Sequence, residues 1–241
     1  MKLKALLSLL PLMLLSLSVS AESLRIGMPA PGQVPFLWQD ESGVYRGIYA
    51  DTLQQIAQQL NIELEYIPLS QARLVAHFLQ GEVDVEAGVS PLEQDSPGLE
   101  AVSLYSQPYG LVNEVIIYRP EFSFPAFVLS DLKGLRVATV RGAGVPDYIA
   151  REDFASQIQV ARRVSRGWND VGLMKEAAAL HYQRSLTLDY QISLPYASNP
   201  VVFRLHRSKA PLLEEINRVI AQLKRDGTLD EIICNYLCGT Q

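Results

Sequence analysis

The chain is poor in the residues that most often carry chemistry. It has two cysteines, Cys234 and Cys238, and three histidines, His77, His181 and His206, scattered without metal-ligand spacing. The single Cys-x-x-x-Cys run has no second pair, which argues against a zinc site. No serine sits in a nucleophile elbow, and no Ser/Gly-rich or low-complexity tract divides the chain. The second half contains no apolar stretch long enough to cross a bilayer. Nothing reads as a catalytic centre, and neither a metal nor a cofactor is expected.

What is present begins with a leader. Lys2 and Lys4 give a basic start, Leu6 to Leu17 an apolar core, and Val19-Ser20-Ala21 small residues three and one positions before a cut after Ala21. The alternative is an uncleaved anchor, but a core of about a dozen residues is short for a membrane span. No cysteine near the cut could carry a lipid, so export to a closed compartment, a Gram-negative periplasm, is expected. Removing residues 1–21 takes away two lysines and no acids, leaving 220 residues with 19 basic against 26 acidic side chains, a net −7. That balance disfavours nucleic acid and anionic lipid as partners. The length suits one large domain or two modest lobes.

From residue 24 the pattern is strand, aromatic loop, hairpin, helix, strand, helix, strand. Leu24–Met28 reads as a strand, and Pro29 to Pro35 breaks it. Phe36 and Trp38 follow in a loop at the strand's carboxyl end. Asp40-Glu41-Ser42-Gly43 is a turn, and the spacing of Leu53, Ile56, Ala57 and Leu60 is helical over Tyr49–Leu60. Ile62–Ile67 is a second strand, Gln71–Gln80 a second helix stopped by Gly81, and Val83–Val89 a third strand. This alternation predicts a mostly parallel, doubly wound sheet whose ligand site lies beyond the carboxyl ends of its strands. In the second half, Val115–Tyr118 is a strand, Leu129–Gly134 a short helical turn, and Leu135–Val140 a strand. It runs into Arg141-Gly142-Ala143-Gly144, with a helix expected over Asp147–Glu152. Glycines before a helix start would let backbone amides approach an anion. Beyond Trp168 there is room for one helix, Val171–Gln183, and one strand, Ser185–Ile192.

Eight landmarks in order carry a resemblance: Leu24-Arg25-Ile26-Gly27, Pro35-Phe36, Gly47, Leu79-Gln80-Gly81-Glu82-Val83-Asp84, Ala87-Gly88-Val89-Ser90, Ser106-Gln107-Pro108-Tyr109, Asp131 to Val137, and a closing helix Ile216–Leu223 followed by Asp226-Gly227-Thr228-Leu229. Over residues 23–237 the chain resembles the family 3 solute-binding proteins, periplasmic receptors of polar amino acid ABC transporters. The resemblance implies a two-lobed periplasmic-binding-protein fold (type II) of the α/β class, with a cleft and a two-segment hinge. Lobe one would be 22–110 plus 200–241 and lobe two 111–199, with hinges near Tyr109–Asn113 and Ala197–Val201. It also implies a small polar ligand, a probable inner-membrane ABC permease as partner, and a monomer.

The resemblance marks Phe36 as a stacking residue, with Trp38 beside it, and Gly88 and Ser90 as ligand-facing. It implies an arginine seven residues after Gly88, but Asp95 stands there. Arg73 or Arg141, each otherwise a solvated surface arginine, could take over a ligand carboxylate, with Gly142 and Gly144 supplying amides. Asp189 loosely matches the family's amine-binding aspartate at the end of a lobe-two strand. Glu86 interrupts a strand covered on both faces, so it either reaches the cleft or pairs with a cation, and the cleft is favoured. Cys234 and Cys238 are four apart on one helix face in an oxidising compartment, so a disulfide is expected there. Regular helical Cα atoms would be about 6 Å apart, and the last turn would have to loosen. Two other classes stay open on this fold: an accessory protein serving a partner protein, and an enzyme resembling a periplasmic dehydratase, with Glu86 as its only obvious acid.

Overall fold

The computed structural model describes residues 23–30, 32–91, 97–121, 128–141 and 143–238. The leader, Asp95 and Gly142 lie outside them. In chain order the strands and helices are β1 (Ser23–Pro29), the hairpin β2 (Trp38–Gln39) and β3 (Tyr45–Arg46), α1 (Ile48–Leu60), β4 (Glu63–Leu69), α2 (Gln71–Leu79), β5 (Val85–Val89), α3 (Leu99–Val102) and β6 (Ser103–Tyr105). The second half continues with β7 (Gly110–Tyr118), β8 (Val137–Val140), β9 (Arg151–Phe154), α4 (Gln157–Ser165), β10 (Val171–Lys175), α5 (Glu176–Ser185), β11 (Gln191–Ile192), β12 (Ala197–His206), α6 (Ala210–Arg225) and α7 (Thr228–Leu237).

The first helix forms because Leu53, Ile56 and Ala57 recur on one face and are buried, and it stops at Asn61, which takes the left-handed conformation. In α6 the buried Ile216, Val219, Ile220 and Leu223 repeat the same spacing behind a proline in the first turn. The strands run in the order β4-β1-β5-β12-β7-β10-β8-β9. β4, β1 and β5 are parallel at one end and β10, β8 and β9 at the other. Between them β12 and β7 are antiparallel to each other and to their outer neighbours. The result is two α/β lobes, each a parallel triplet closed by one antiparallel strand.

Strand β12 changes partner within its length. Ala197 to Val201 pair with Glu114 to Gly110 of β7, and from Val202 onward the strand pairs with β5, starting at Val89. A bulge lies between Val202 and Arg204.

The second half departs from its sequence reading in three places. The helix expected over Asp147–Glu152 is a turn followed by the edge strand β9, whose Asp153 accepts the Thr139 hydroxyl proton at 2.7 Å. Ile149 is drawn into the lobe-two core, and the chain then pairs with β8 in parallel register. The single helix expected over Val171–Gln183 is a buried strand and then a helix. A four-residue apolar run, Val171 to Met174, fits either state by periodicity; in the strand, Gly172 lets α4 pack closely, since a Cβ there would lie 2.7 Å from Val160. Of the strand expected over Ser185–Ile192 only Gln191 and Ile192 pair.

Glu86 is corrected as well. It is 2% exposed, and its register partner across the antiparallel β5–β12 pair is Arg204, 5% exposed. The Arg204 Nε donates to the Glu86 carboxylate at 2.6 Å, and its guanidinium lies 5.1 Å from the centroid of the Phe78 ring. A carboxylate in a sheet covered on both faces needs a cation, and here the cation comes from the next strand. Arg204→Met would strand the buried carboxylate, so a loss of about 3–5 kcal/mol is expected, read as a lower urea midpoint at unchanged slope. The apolar pair Glu86→Leu with Arg204→Met should recover most of it. A loss below about 1 kcal/mol for Arg204→Met alone would contradict the pairing.

Candidate functional site

The lobe-one side of the site is aromatic. Phe36 leaves β1's loop 3% exposed, because its carbonyl accepts the Tyr49 N–H at 2.8 Å as α1 begins. The Tyr49 ring sits 5.1 Å from Phe36 and 5.8 Å from Tyr109, which stacks on Phe203 at 4.1 Å. The four rings form a continuous floor where β5 ends, β7 begins and β12 changes partner. Gly88 has φ +74°, and a Cβ on it would lie 2.0 Å from the Tyr49 ring. Its N–H donates to the Tyr109 hydroxyl at 2.9 Å. Burial pushes that phenol's pKa well above its ordinary value.

The lobe-two side is charged. β10 ends on Lys175, whose N–H donates to the side-chain oxygen of Gln157 at the start of α4. The Lys175 ammonium lies over Phe36, 5.2 Å from the ring centroid, a cation–π contact made across the two lobes. Glu176 opens α5. Its carboxylate accepts the Asn113 side-chain N–H at 2.7 Å, and Asn113 in turn accepts the Ser198 hydroxyl proton at 2.8 Å. Asn113 and Ser198 are register partners on β7 and β12, so the paired strands aim Glu176.

Between these walls lies a cavity of about 610 Å³, its solvent-open mouth included. Lobe one contributes Phe36, Ile48 and Tyr49 with Ile233 and Leu237 of α7. The crossing strands contribute Tyr109 to Asn113 and Val201, and α5 contributes Glu176, Ala177 and Leu180.

The C-terminal helix braces both walls. The Tyr236 hydroxyl donates to Asp51 at 2.6 Å and accepts the Gly47 N–H, while Arg184 of α5 donates to the Leu237 carbonyl at 2.8 Å. Cys234 and Cys238 are joined by a disulfide with their Cα atoms 4.7 Å apart. The Cys238 N–H still donates to the Cys234 carbonyl at 2.9 Å, so the last turn tightens and does not loosen.

Of the described positions singled out in sequence, only Phe36 lines the cavity. Trp38 packs edge-on against Tyr236. Ser90 is buried just beyond β5. Arg73 and Arg141 are both exposed, on different lobes, and Gly144 leads into a turn and β9, not directly into a helix that would present amides to an anion. Asp189 is not at a strand end. It is exposed between α5 and β11, its N–H held by Ser165, and the acid beside a lobe-two strand's carboxyl end is Glu176. Sequence reasoning missed Tyr49, Tyr109, Asn113, Lys175 and Glu176. The signal available was Lys175-Glu176 itself, a charged pair cutting the apolar run Val171–Met174 from the alanines behind it.

The family model for bacterial extracellular solute-binding proteins, family 3, matches residues 24–238. The chain belongs to this family. A probable amino-acid ABC transporter-binding protein of Haemophilus influenzae is 23% identical over 212 residues, spanning 82% of this chain and 78% of that protein. Amino-acid-binding protein AabA of Dichelobacter nodosus is 24% identical over 235 residues, spanning 90% and 89%. Among solved structures, a mutant of ArgBP from T. maritima is 26% identical with a TM-score of 0.73, covering 89% of this chain and 94% of its own. The two-lobed fold is thus a family property.

Within it, the contact between Gly88 and Tyr49 is testable. Gly88→Ala forces a side chain into the Tyr49 ring, at a cost of about 1–3 kcal/mol by overpacking. Denaturation of both single variants and the double variant should show Tyr49→Ala relieving at least about 0.5 kcal/mol of that cost. Strict additivity would mean that Tyr49 is not what Gly88 accommodates.

Proposed function

We propose that this family member is a periplasmic receptor that captures a small amino acid or related amine in the cavity between its lobes and delivers it to an inner-membrane ABC permease. The observation that carries the reading is Glu176. It is the one charged side chain lining the cavity among the described residues, it starts a helix at a strand's carboxyl end, and Asn113 and Ser198 orient it. The names of the relatives from Haemophilus influenzae and Dichelobacter nodosus support an amino-acid-like solute. Among the described residues no helix is long and apolar enough to cross a membrane, and the leader sequence supports export.

The proposal divides the chain into residues 22–110 plus 200–241 and residues 111–199, crossing near Tyr109–Asn113 and Ala197–Val201. It is supported by β12, which exchanges β7 for β5 between Val201 and Val202. Phe36 is kept as the aromatic contact, and Glu176 takes the role first sought in Asp189 and Glu86. The reading is of binding without chemistry: among the described residues the lining offers, besides Glu176, two tyrosines as titratable groups.

A thermal-shift screen of the mature chain with amino acids, amines, dipeptides and small carboxylates tests it. A true solute at a hundred times its Kd should add about 2.7 kcal/mol of stability. Glu176→Gln should then weaken binding roughly 30-fold or more, as expected when one partner of a buried charged contact is truncated. A screen in which no compound shifts the transition would overturn the reading, as would a shift that Glu176→Gln leaves intact.

A further inference from the structure

The cavity's lining is lopsided in charge, and that bears on which solutes it accepts. Among the described residues it holds one acid and no Lys, Arg or His. Three aromatic rings, Phe36, Tyr49 and Tyr109, and apolar groups such as Leu180 and Ile233 make up most of the rest. An ammonium entering this space meets a carboxylate and ring faces, both of which attract cations. A carboxylate entering it must leave water, and among the described lining residues no cation receives it.

The remaining polar groups point the same way. The Tyr109 hydroxyl already accepts the Gly88 N–H. Asn113 spends an N–H on Glu176 and its carbonyl oxygen on Ser198. The neighbouring cations are engaged elsewhere: Lys175 stacks on Phe36 without lining the cavity, Arg184 holds the Leu237 carbonyl, and Arg204 is paired with Glu86.

We propose that the solute selected here is a monoamine with an apolar body and no carboxylate, its ammonium on Glu176 and its hydrocarbon or ring against the aromatic floor. This rests on the receptor reading above and narrows it from amino acids to amines. The aliphatic wall formed by Leu180 of α5 with Ile233 and Leu237 of α7 suits an apolar body, and the ammonium end meets the one charged side chain that lines the cavity among the described residues.

Calorimetry on the mature full chain can decide it with three matched pairs of probes: phenethylamine and isoamylamine, phenylalanine and leucine, phenylacetate and isovalerate. The amines should bind roughly tenfold or more tightly than the matching amino acids, a difference of about 1.4 kcal/mol, and the carboxylates should not bind. Glu176→Gln should weaken amine binding roughly 30-fold or more, while its melting temperature, followed in parallel, shows that the fold is kept. Amino acids binding more tightly than the amines, with the advantage erased by Lys175→Met, would overturn the monoamine proposal and leave the receptor reading standing. The proposal also falls if none of the six probes binds; a different solute found in the wider screen would then still support a receptor.

Discussion

Everything at the site depends on the antiparallel pairing of β12 with two different strands. Its first half holds β7 and its second half holds β5, so one strand fixes where both lobes stand. Side chains alternate faces along a strand, and a slip of one residue would turn Arg204 away from Glu86 and expose two charges to apolar layers. The buried pair is thus a register lock. Its net contribution over an apolar pair can be small, but the cost of mispairing is large. Once β12 is locked, Ser198 lies opposite Asn113, Asn113 reaches Glu176, and Tyr109 reaches Gly88.

The lobe-one half of the fold was legible because each element there has its own local signal. Leu53, Ile56 and Ala57 repeat at helical spacing, prolines end β1, and Gly81 follows α2. Residues 147–192 gave no such signal. Val171 to Met174 is too short and too uniformly apolar for its period to be read, and Ser185 to Tyr190 carries strand-like residues that make no ladder. The landmarks shared with the family nevertheless fixed the architecture, since order along the chain survives local misreading.

The site was harder to read than the fold. Glu86 was recognisable as a group that could not stay unpaired, yet its partner is 118 residues away, and nothing local announces a cross-strand register. Charges in apolar strands are therefore ambiguous in sequence: Glu86 alone looks like a site residue, and with Arg204 it is a sheet contact. Lys175 and Glu176 are the reverse case. They read as the interior of a helix, and only the break between β10 and α5 shows that they stand at a strand's carboxyl end, where this class of fold binds its ligands.

The aromatic floor bears on how such a site would respond to a solute. A ligand shifts a conformational equilibrium only by the difference in its affinity for the two states. Here the floor belongs to lobe one and the crossing strands, and the acid belongs to α5 of lobe two. A solute that touches both therefore gains its full set of contacts only with the lobes together. The Lys175 ammonium over Phe36 and the Arg184 contact with the Leu237 carbonyl already join the same two walls. A solute held by both walls would add to these contacts between the same two lobes.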